Sequence, residues 1–544
     1  GGVQEEASEK VAGMYPAAFA RKRPCEGARE LVKAHLDGML PSLFQDLSDW
    51  TPTTRGRGAA TLLALLVYAE GAIAPHAESL VGAFAKAYMD DDEHVASRVA
   101  ECVCLAGAFV PAQVFVGVIS SHISGGGTAA ASRRNWMAVL AALLEGATEE
   151  DIAPLLPQVC DMVAEMELSM PEEEEHQVHL LRVLRACVSS GGKSCWGVSG
   201  QLFASLLRLQ SMHYLGMSAL SAGAADGIQR LAAALGLEGG AEELFQREAG
   251  GVLAGAMGTR GEWRRDSKDL QVFDTLLRSG GEAVVPLLDT CMPAFDIVAD
   301  TNRDADVRSS LLVLLDFLLA ESGIQSNMGR FGASLLSDVI VPVCVWRAGK
   351  VASALRKAGV SCMKHLMSQR LVKPQDIMKQ LGEGFAAGPL DPVIKSCMDD
   401  DDADIRFIAC GVAREMFAIV AEMLDTEQVR HFYLEVLKRL DDSNDTIRCE
   451  VATAAKTFMA SVPIGYDPSQ YEYLLRNLIV HLDDQNEAVQ QAVLPAVLAA
   501  APVNPELFTT VVRECKGKHR SGKLCQEALD HVAKLQHDSS EALE

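Results

Sequence analysis

Aromatic side chains are scarce here: Phe, Trp and Tyr make up 6% of the 544 residues, although 49% of the chain is hydrophobic. Ala, Leu and Val carry the apolar content, which suits helices packed closely through small side chains. Cations are also in deficit, with 49 Lys and Arg against 73 Asp and Glu and a net charge of −24. That balance excludes nucleic acid as the main ligand, because phosphate binding needs clustered positive charge. The acidic excess leaves two readings open, a solvated surface that keeps a long chain dissolved or a surface for basic and amphipathic protein partners. The 14 cysteines form no paired framework and follow no secretory signal. Cys102-x-Cys104, Cys187, Cys344, Cys410 and Cys449 lie inside apolar helical runs, as reduced, buried thiols of an intracellular protein do. No unbroken apolar run reaches the roughly 18 residues of a membrane helix, so no membrane insertion is expected. The chain begins Gly1-Gly2-Val3 rather than Met, which raises the expectation of further units upstream.

Site motifs are missing as well. There is no Walker loop, Rossmann fingerprint or nucleophile elbow. His176-x-x-His179 places two imidazoles on one helical face without the glutamate between histidines of zinc hydrolases. Cys515-x3-His519-x5-Cys525 offers three ligands where a structural zinc site takes four. Acidic pairs such as Asp441-Asp442 recur in every regular unit and so read as structural rather than as acid-base pairs. The expectation is a protein that is no enzyme, with no cofactor and no metal.

What the sequence does contain is a repeat. Met398-Asp-Asp-Asp-Asp-Ala-Asp-Ile405-Arg406 returns as Leu440-Asp-Asp-Ser-Asn-Asp-Thr-Ile447-Arg448 and as Leu482-Asp-Asp-Gln-Asn-Glu-Ala-Val489-Gln490, each 42 residues after the last. A fixed interval of this size means stacked supersecondary units. Before the acidic phrase, Tyr433, Val436, Leu437 and Leu440 follow helical spacing, and Leu475, Leu478, Ile479 and Leu482 repeat it. After it come Ile447, Val451, Ala455 and Phe458, matched by Val489, Val493, Val497 and Ala500. Each unit is therefore an antiparallel helix pair whose turn carries Asp and Asn able to cap the second helix.

A finer register runs through the turns. Pro, then Asp eight residues on, then Arg six further on, occurs at Pro41, Asp49 and Arg55 and again at Pro392, Asp400 and Arg406. Asp442 with Arg448 keeps the later half, and Asn302 with Arg308 keeps it in altered form. The pattern resembles the HEAT repeat. That resemblance implies a Pro that kinks the first helix, a ladder of Asp and Arg side chains between successive units, and an all-α, right-handed solenoid of about twelve helix pairs. Gln490 stands where an Arg would follow Asp484, so the charged ladder is expected to end there.

The array is expected to be single, from 1 to 544, with a partial repeat or leader at 1–27 and an acidic tail at 536–544. Between about 120 and 290 the register blurs, and Gly125-Gly126-Gly127, Gly191-Gly192, Gly239-Gly240 and Gly280-Gly281 suggest long or mobile loops. Pro171 to Glu175 reads as an acidic loop or as the first turn of a helix. Val341 to Val351, with Trp346, stands where an acidic turn belongs. The next interval is longer, which predicts an insertion at 373–391 projecting from the stack. Lys516-Gly-Lys-His-Arg520-Ser-Gly-Lys523 is the densest basic cluster, either a dock for an acidic partner or a solvated loop.

Two segments narrow the resemblance. Phe44 to Arg55, with Trp50, and Val345 to Cys362, with Trp346, Gly349, Arg356 and Cys362, are similar to the HEAT-repeat axonemal dynein assembly factors, in their C-terminal portion. This implies a cytoplasmic scaffold or co-chaperone-like factor that preassembles dynein arms by binding proteins: axonemal dynein chains, chaperones and other assembly factors. The repeat alone also fits a nuclear transport receptor or a phosphatase-type scaffold. The regular units from Asp391 to Ala501 and the insertion are the expected contact regions.

Overall fold

Each acidic phrase ends one helix and starts the next. Asp402 accepts the Asp404 amide at 2.9 Å, Asn444 the Thr446 amide at 2.9 Å and Asn486 the Ala488 amide at 2.9 Å. These side chains satisfy N–H groups that a helix start leaves open. The computed structural model describes Tyr15 and residues 23–123, 130–169, 173–320, 323–382 and 388–541. Among the described residues the regular structure is all helical. The Gly125-Gly126-Gly127 group, Arg21, Lys22, Pro171 and Glu172 lie outside them.

The chain divides into two compact units, Gly1–Thr259 with Lys268–Val284, and Arg260–Ser267 with Val285–Glu544. In the first, the helices pair as α1 (Glu26–Asp46) with α2 (Pro52–Ala69), α3 (Ala77–Ala87) with α4 (Glu93–Phe109), and α5 (Ala112–Ile123) with α6 (Ala130–Gly146). Then α7 (Leu156–Ser169) pairs with α8 (Glu174–Gly191), α9 (Ser199–Gln210) with α10 (Ser218–Leu235), and α11 (Gly240–Gly258) with α12 (Lys268–Ser279). The second helices α2, α4, α6, α8 and α10 pack in succession, each against the next. Their interior is aliphatic: Leu62, Leu66, Val103, Leu143, Leu184 and Leu231 are buried.

In the second unit the first two pairs have broken leading helices. Short turns over 285–299 precede α13 (Ala305–Ala320), and a run ending in a π-helical stretch at Leu335–Ile340 and Val341–Cys344 precedes α14 (Lys350–Ser368). Pro286, Pro293 and Pro342 deny these segments helix hydrogen bonds. Next come α15 (Pro374–Leu381), α16 (Leu390–Met398), α17 (Ala403–Val420), α18 (Thr426–Leu440) and α19 (Asp445–Ser461). The unit closes with α20 (Pro468–Val480), α21 (Glu487–Ala500), α22 (Pro505–Lys516) and α23 (Lys523–Glu541). Here too the second helices α13, α14, α17, α19, α21 and α23 stack in order. Each unit is an α-solenoid of HEAT-type pairs, six in each among the described residues.

Four expectations change. Within 373–391 the described part packs rather than projects, and 383–387 lie outside the described residues: α15 packs on α16 and α17 and buries Ile377 and Leu381 completely. Pro41 lies inside α1, where a kink belongs, but Pro392 is the third residue of α16, where its missing N–H breaks no helix bond. Two of the described glycine groups sit in short turns rather than long loops: Gly192 (φ +49°) and Gly281 (φ +50°) each follow a helix end and lead straight into a 3-10 turn. A membrane-long apolar stretch does exist by composition, Pro52–Ala87, and 56% of its most apolar window is buried in the fold. It is broken by the 3-10 turn Glu70–His76, where Glu70 is held by Arg23 and Arg29.

Candidate functional site

The turns carry the charged chemistry of the chain. In three successive turns of the second unit a carboxylate first closes its own loop: Asp400 accepts the Asp402 amide at 3.0 Å, Asp442 the Asn444 amide at 3.0 Å and Asp484 the Asn486 amide at 2.8 Å. The free side of that carboxylate then receives an arginine from the preceding pair. Arg356 reaches Asp400 at 2.9 Å from Nε and 2.7 Å from Nη2. Arg406 grips Asp442 at 2.8 and 3.0 Å, and Arg448 reaches Asp484. Each of these arginines also donates to a main-chain carbonyl at its own turn: Arg406 to Asp400 at 2.8 Å, Arg448 to Leu440 at 2.8 Å and Arg356 to Arg347 at 2.7 Å. One guanidinium thus ties two successive turns through a charged fork.

Gln490 donates instead to the Asp484 carbonyl of its own turn, at 2.7 Å, and reaches no further. The basic cluster closes this end. Arg520 binds Asp483 through its amide at 3.1 Å and Nε at 3.2 Å, and caps the Asp484 carbonyl at 3.0 Å. So the cluster's central arginine, though exposed, is engaged by the chain's own turn.

In the first unit Asp49 accepts the Thr51 amide at 2.8 Å, and Arg55 grips Asp90 at 2.7 and 2.8 Å. Arg55 also touches the Asp49 carbonyl at 3.2 Å, so Asp49 and Arg55 of one turn meet through the main chain and not as an ion pair. Asp90, which the register did not single out, receives Arg55, and Asp484, read only as the place where the next arginine is missing, receives Arg448; the recurring Asp-Asp pair is the signal of both. After Asp90 the arginine position is Ala96, and the ladder lapses.

Burial opposes charge on Asp90, Asp442 and Asp484, yet the arginine and amide hydrogen bonds hold all three carboxyls below the usual range. Arg308 differs. It is 8% exposed, its Nε donates to the Val298 carbonyl at 2.7 Å, and it makes no ion pair with a carboxylate among the described residues. Burial and the like charge of Arg347 push its pKa down, against a weaker pull from Asp300.

Trp50 is 87% exposed and Trp346 53%, each in the turn beside a ladder arginine. The Arg356 guanidinium lies 6.0 Å from the Trp346 ring, and Gly349, at φ +106°, takes a backbone shape that favours glycine just before α14. Cys362 is buried, with Sγ 3.5 Å from the Leu312 carbonyl.

The remaining chemical candidates do not converge. His176 is buried, and burial with neighbouring cations takes His179 down to about 4. Cys525 Sγ lies 3.4 Å from His519 Nδ1, while Cys515 faces Arg476 at 3.9 Å. Among the described residues no group of three or more His, Cys, Asp or Glu side chains is placed to hold a metal ion. Desolvation raises the thiol of Cys410 to about 12 and that of Cys195 to about 11, so these two are packing residues rather than nucleophiles.

The family model described as "Dynein axonemal assembly factor 5, HEAT-repeat domain" matches residues 14–213. Curated relatives carry the same name. The human protein (Homo sapiens) is 28% identical over 520 residues, 94% of this chain and 59% of the relative. The Mus musculus protein is 26% identical over 519 residues with the same coverage, and the Xenopus laevis protein 25% identical over 432 residues, 78% of this chain and 50% of the relative. The chain thus spans little more than half the length of the relatives it matches. Among solved structures, the karyopherin Kap121p bound to the extreme C-terminus of Cdc14p gives a TM-score of 0.41 at 13% identity, over 97% of this chain and 56% of that one. A designed armadillo repeat protein gives 0.31 at 17% identity, over 44% and 99%.

Proposed function

We propose, from the resemblance of this chain to dynein axonemal assembly factor 5, that it is a non-catalytic binding scaffold for the cytoplasmic preassembly of axonemal dynein arms. It acts by holding dynein chains together with chaperones and other assembly factors, through many weak contacts along its stacked pairs. The observation that carries this reading is the extent of the match, 94% of the chain, which takes in both runs of the ladder. The geometry supports binding over chemistry. The carboxylates that could serve as acids or bases are engaged by arginine and amide groups in a repeated structural role. Treating residues 1–544 as one working array belongs to the same proposal, as do the regular units from Asp391 to Ala501 as contact regions.

Depletion in a ciliated cell tests it. Axonemes should lack dynein arms by electron microscopy while dynein heavy chains turn over or misassemble in the cytoplasm. Intact arms together with failed nuclear import of a cargo would put a transport receptor in its place.

A further inference from the structure

In six turns between paired helices an aspartate accepts the amide two residues on, at 2.8 to 3.0 Å. The residue between donor and acceptor is the exposed apex of the loop, and in five of the six it is polar: Asp91, Thr301, Asp401, Ser443 and Gln485. The sixth apex is Trp50, 87% exposed and the most exposed of the five tryptophans. The loop itself asks for no aromatic ring, since the same bond closes around Asp, Thr, Ser or Gln.

The next turn sets its own apex beside this indole-bearing one. Arg55 donates from Nη1 to the Trp50 carbonyl at 3.3 Å and from Nη2 to Asp91 at 2.5 Å, so one guanidinium holds the two apices together. Asp91 is 88% exposed, which leaves most of its carboxylate in water despite that contact. Met89, in the same turn, adds a second uncovered apolar side chain at 42% exposure. Residues 49–55 and 89–94 together carry five carboxylates, Asp49, Asp90, Asp91, Asp92 and Glu93, against the single cation Arg55. The patch is thus apolar at its centre and strongly acidic around it.

We infer that Trp50 and Asp91 form a docking station for an arginine-bearing, basic segment of a protein partner. The incoming guanidinium lies on the indole face and pairs with the Asp91 carboxylate, while an adjoining aliphatic side chain covers Met89. Charge complementarity selects this occupant, because five carboxylates to one cation attract a basic segment and steer it to the exposed ring. The same carboxylates repel a second copy of this chain, at net charge −24, and an anionic lipid surface. Arginine suits the site better than lysine, since a planar guanidinium both stacks on an aromatic face and forks onto a carboxylate. A tryptophan at the centre of such a contact is the residue type that carries binding energy. The inference extends the protein-binding function proposed above to a named surface of the first unit, and its test needs no cilium, so either can fail alone.

The test uses the full chain and a fluorescent peptide of alternating Arg and Leu, read by anisotropy at about 0.15 M salt, where diffuse attraction between exposed charges is screened. Trp50→Ala should weaken binding about fivefold with no change in melting temperature, and Trp50→Phe should keep most of the affinity. Asp91→Asn should weaken it by a similar factor, whereas Asp401→Asn, at the corresponding apex of the second unit, should leave it unchanged. A Lys/Leu peptide should bind more weakly than the Arg/Leu peptide. The inference is overturned if the Arg/Leu peptide binds Trp50→Ala as tightly as the original chain, if Asp401→Asn costs as much as Asp91→Asn, or if a Glu/Leu peptide binds equally. Binding to phosphatidylcholine and phosphatidylserine vesicles that Trp50→Ala abolishes, with peptide binding unaffected, would reassign the indole to a membrane surface.

Discussion

Arg406 donates from Nε and Nη2 to both carboxylate oxygens of Asp442, at 2.8 and 3.0 Å, from one helix pair to the next. The carboxylate is 2% exposed and also takes the Asn444 amide and Arg439, so one side chain closes a turn and locks two units. A solenoid has few contacts between distant parts of the chain, so its stiffness lies in such links between neighbours.

Asp442→Ala should therefore cost about 3 to 5 kcal/mol, because it strands the Arg406 charge in a largely buried place. Asp401→Ala, one residue along the same kind of turn but exposed, should stay within about 0.5 kcal/mol. Urea unfolding of the two variants, followed by circular dichroism, measures the difference; equal midpoints would remove the ladder's stabilising role.

The depressed carboxyls of Asp90, Asp442 and Asp484 set an acid limit. A carboxyl whose pKa is lower folded than unfolded contributes its full stability above the unfolded value, about 4, and loses it as pH falls through the folded value. The melting temperature should drop steeply below about pH 4, and Arg406→Gln should flatten that drop by removing one partner. A curve of unchanged shape in the variant would contradict the assignment.

How far the sequence could be read depends on which interactions are local. The interval of 42 residues, the caps at Asp402, Asn444 and Asn486 and the end of the ladder at Gln490 are written in short stretches, and all are visible there. The direction of the ladder is not. Asp400 and Arg406 sit six apart in one turn and look like partners, yet each pairs with a neighbour in another helix pair. Arg356 was marked by resemblance to a family motif, without the Asp400 contact that gives it a physical role. The broken helices over 285–299 and 325–344 interrupt the helical period before α13 and α14, and the docked face of α15 depends on two residues, Ile377 and Leu381, too few to show a period.

Gly107 of α4 and Gly146 of α6 let two stacked helices touch backbone to backbone. A Cβ on Gly107 would run into the Leu143 carbonyl, and one on Gly146 into the Cys104 carbonyl. Both obstacles are main chain and cannot rotate away. Gly107→Ala and Gly146→Ala should each destabilise the first unit by about 1 to 3 kcal/mol, despite the helix preference of alanine. Gly117→Ala, where nothing lies within 4 Å, serves as the control and should be neutral or stabilising. Thermal melts of the three variants decide it.

His179 gives a second, separate pH window. Burial, with Arg182, Arg134 and His176 nearby and only Glu175 opposing, brings its pKa down to about 4, and its Nδ1 is buried without a hydrogen-bond partner. The unfolded chain would bind a proton here at about 6.5, so between about pH 6.5 and 4 it holds more protons than the folded one. By linkage, stability falls as pH falls through that window, above the range in which the ladder carboxyls act. Near pH 5 the loss from this one imidazole should be about 1 to 2 kcal/mol. His179→Leu removes the titration and keeps an apolar side chain on the half-buried face of α8, so its melting temperature should change less between pH 7 and pH 5 than that of the original chain. Parallel pH profiles for the two proteins would show that His179 titrates near its ordinary value and that the acid sensitivity arises elsewhere.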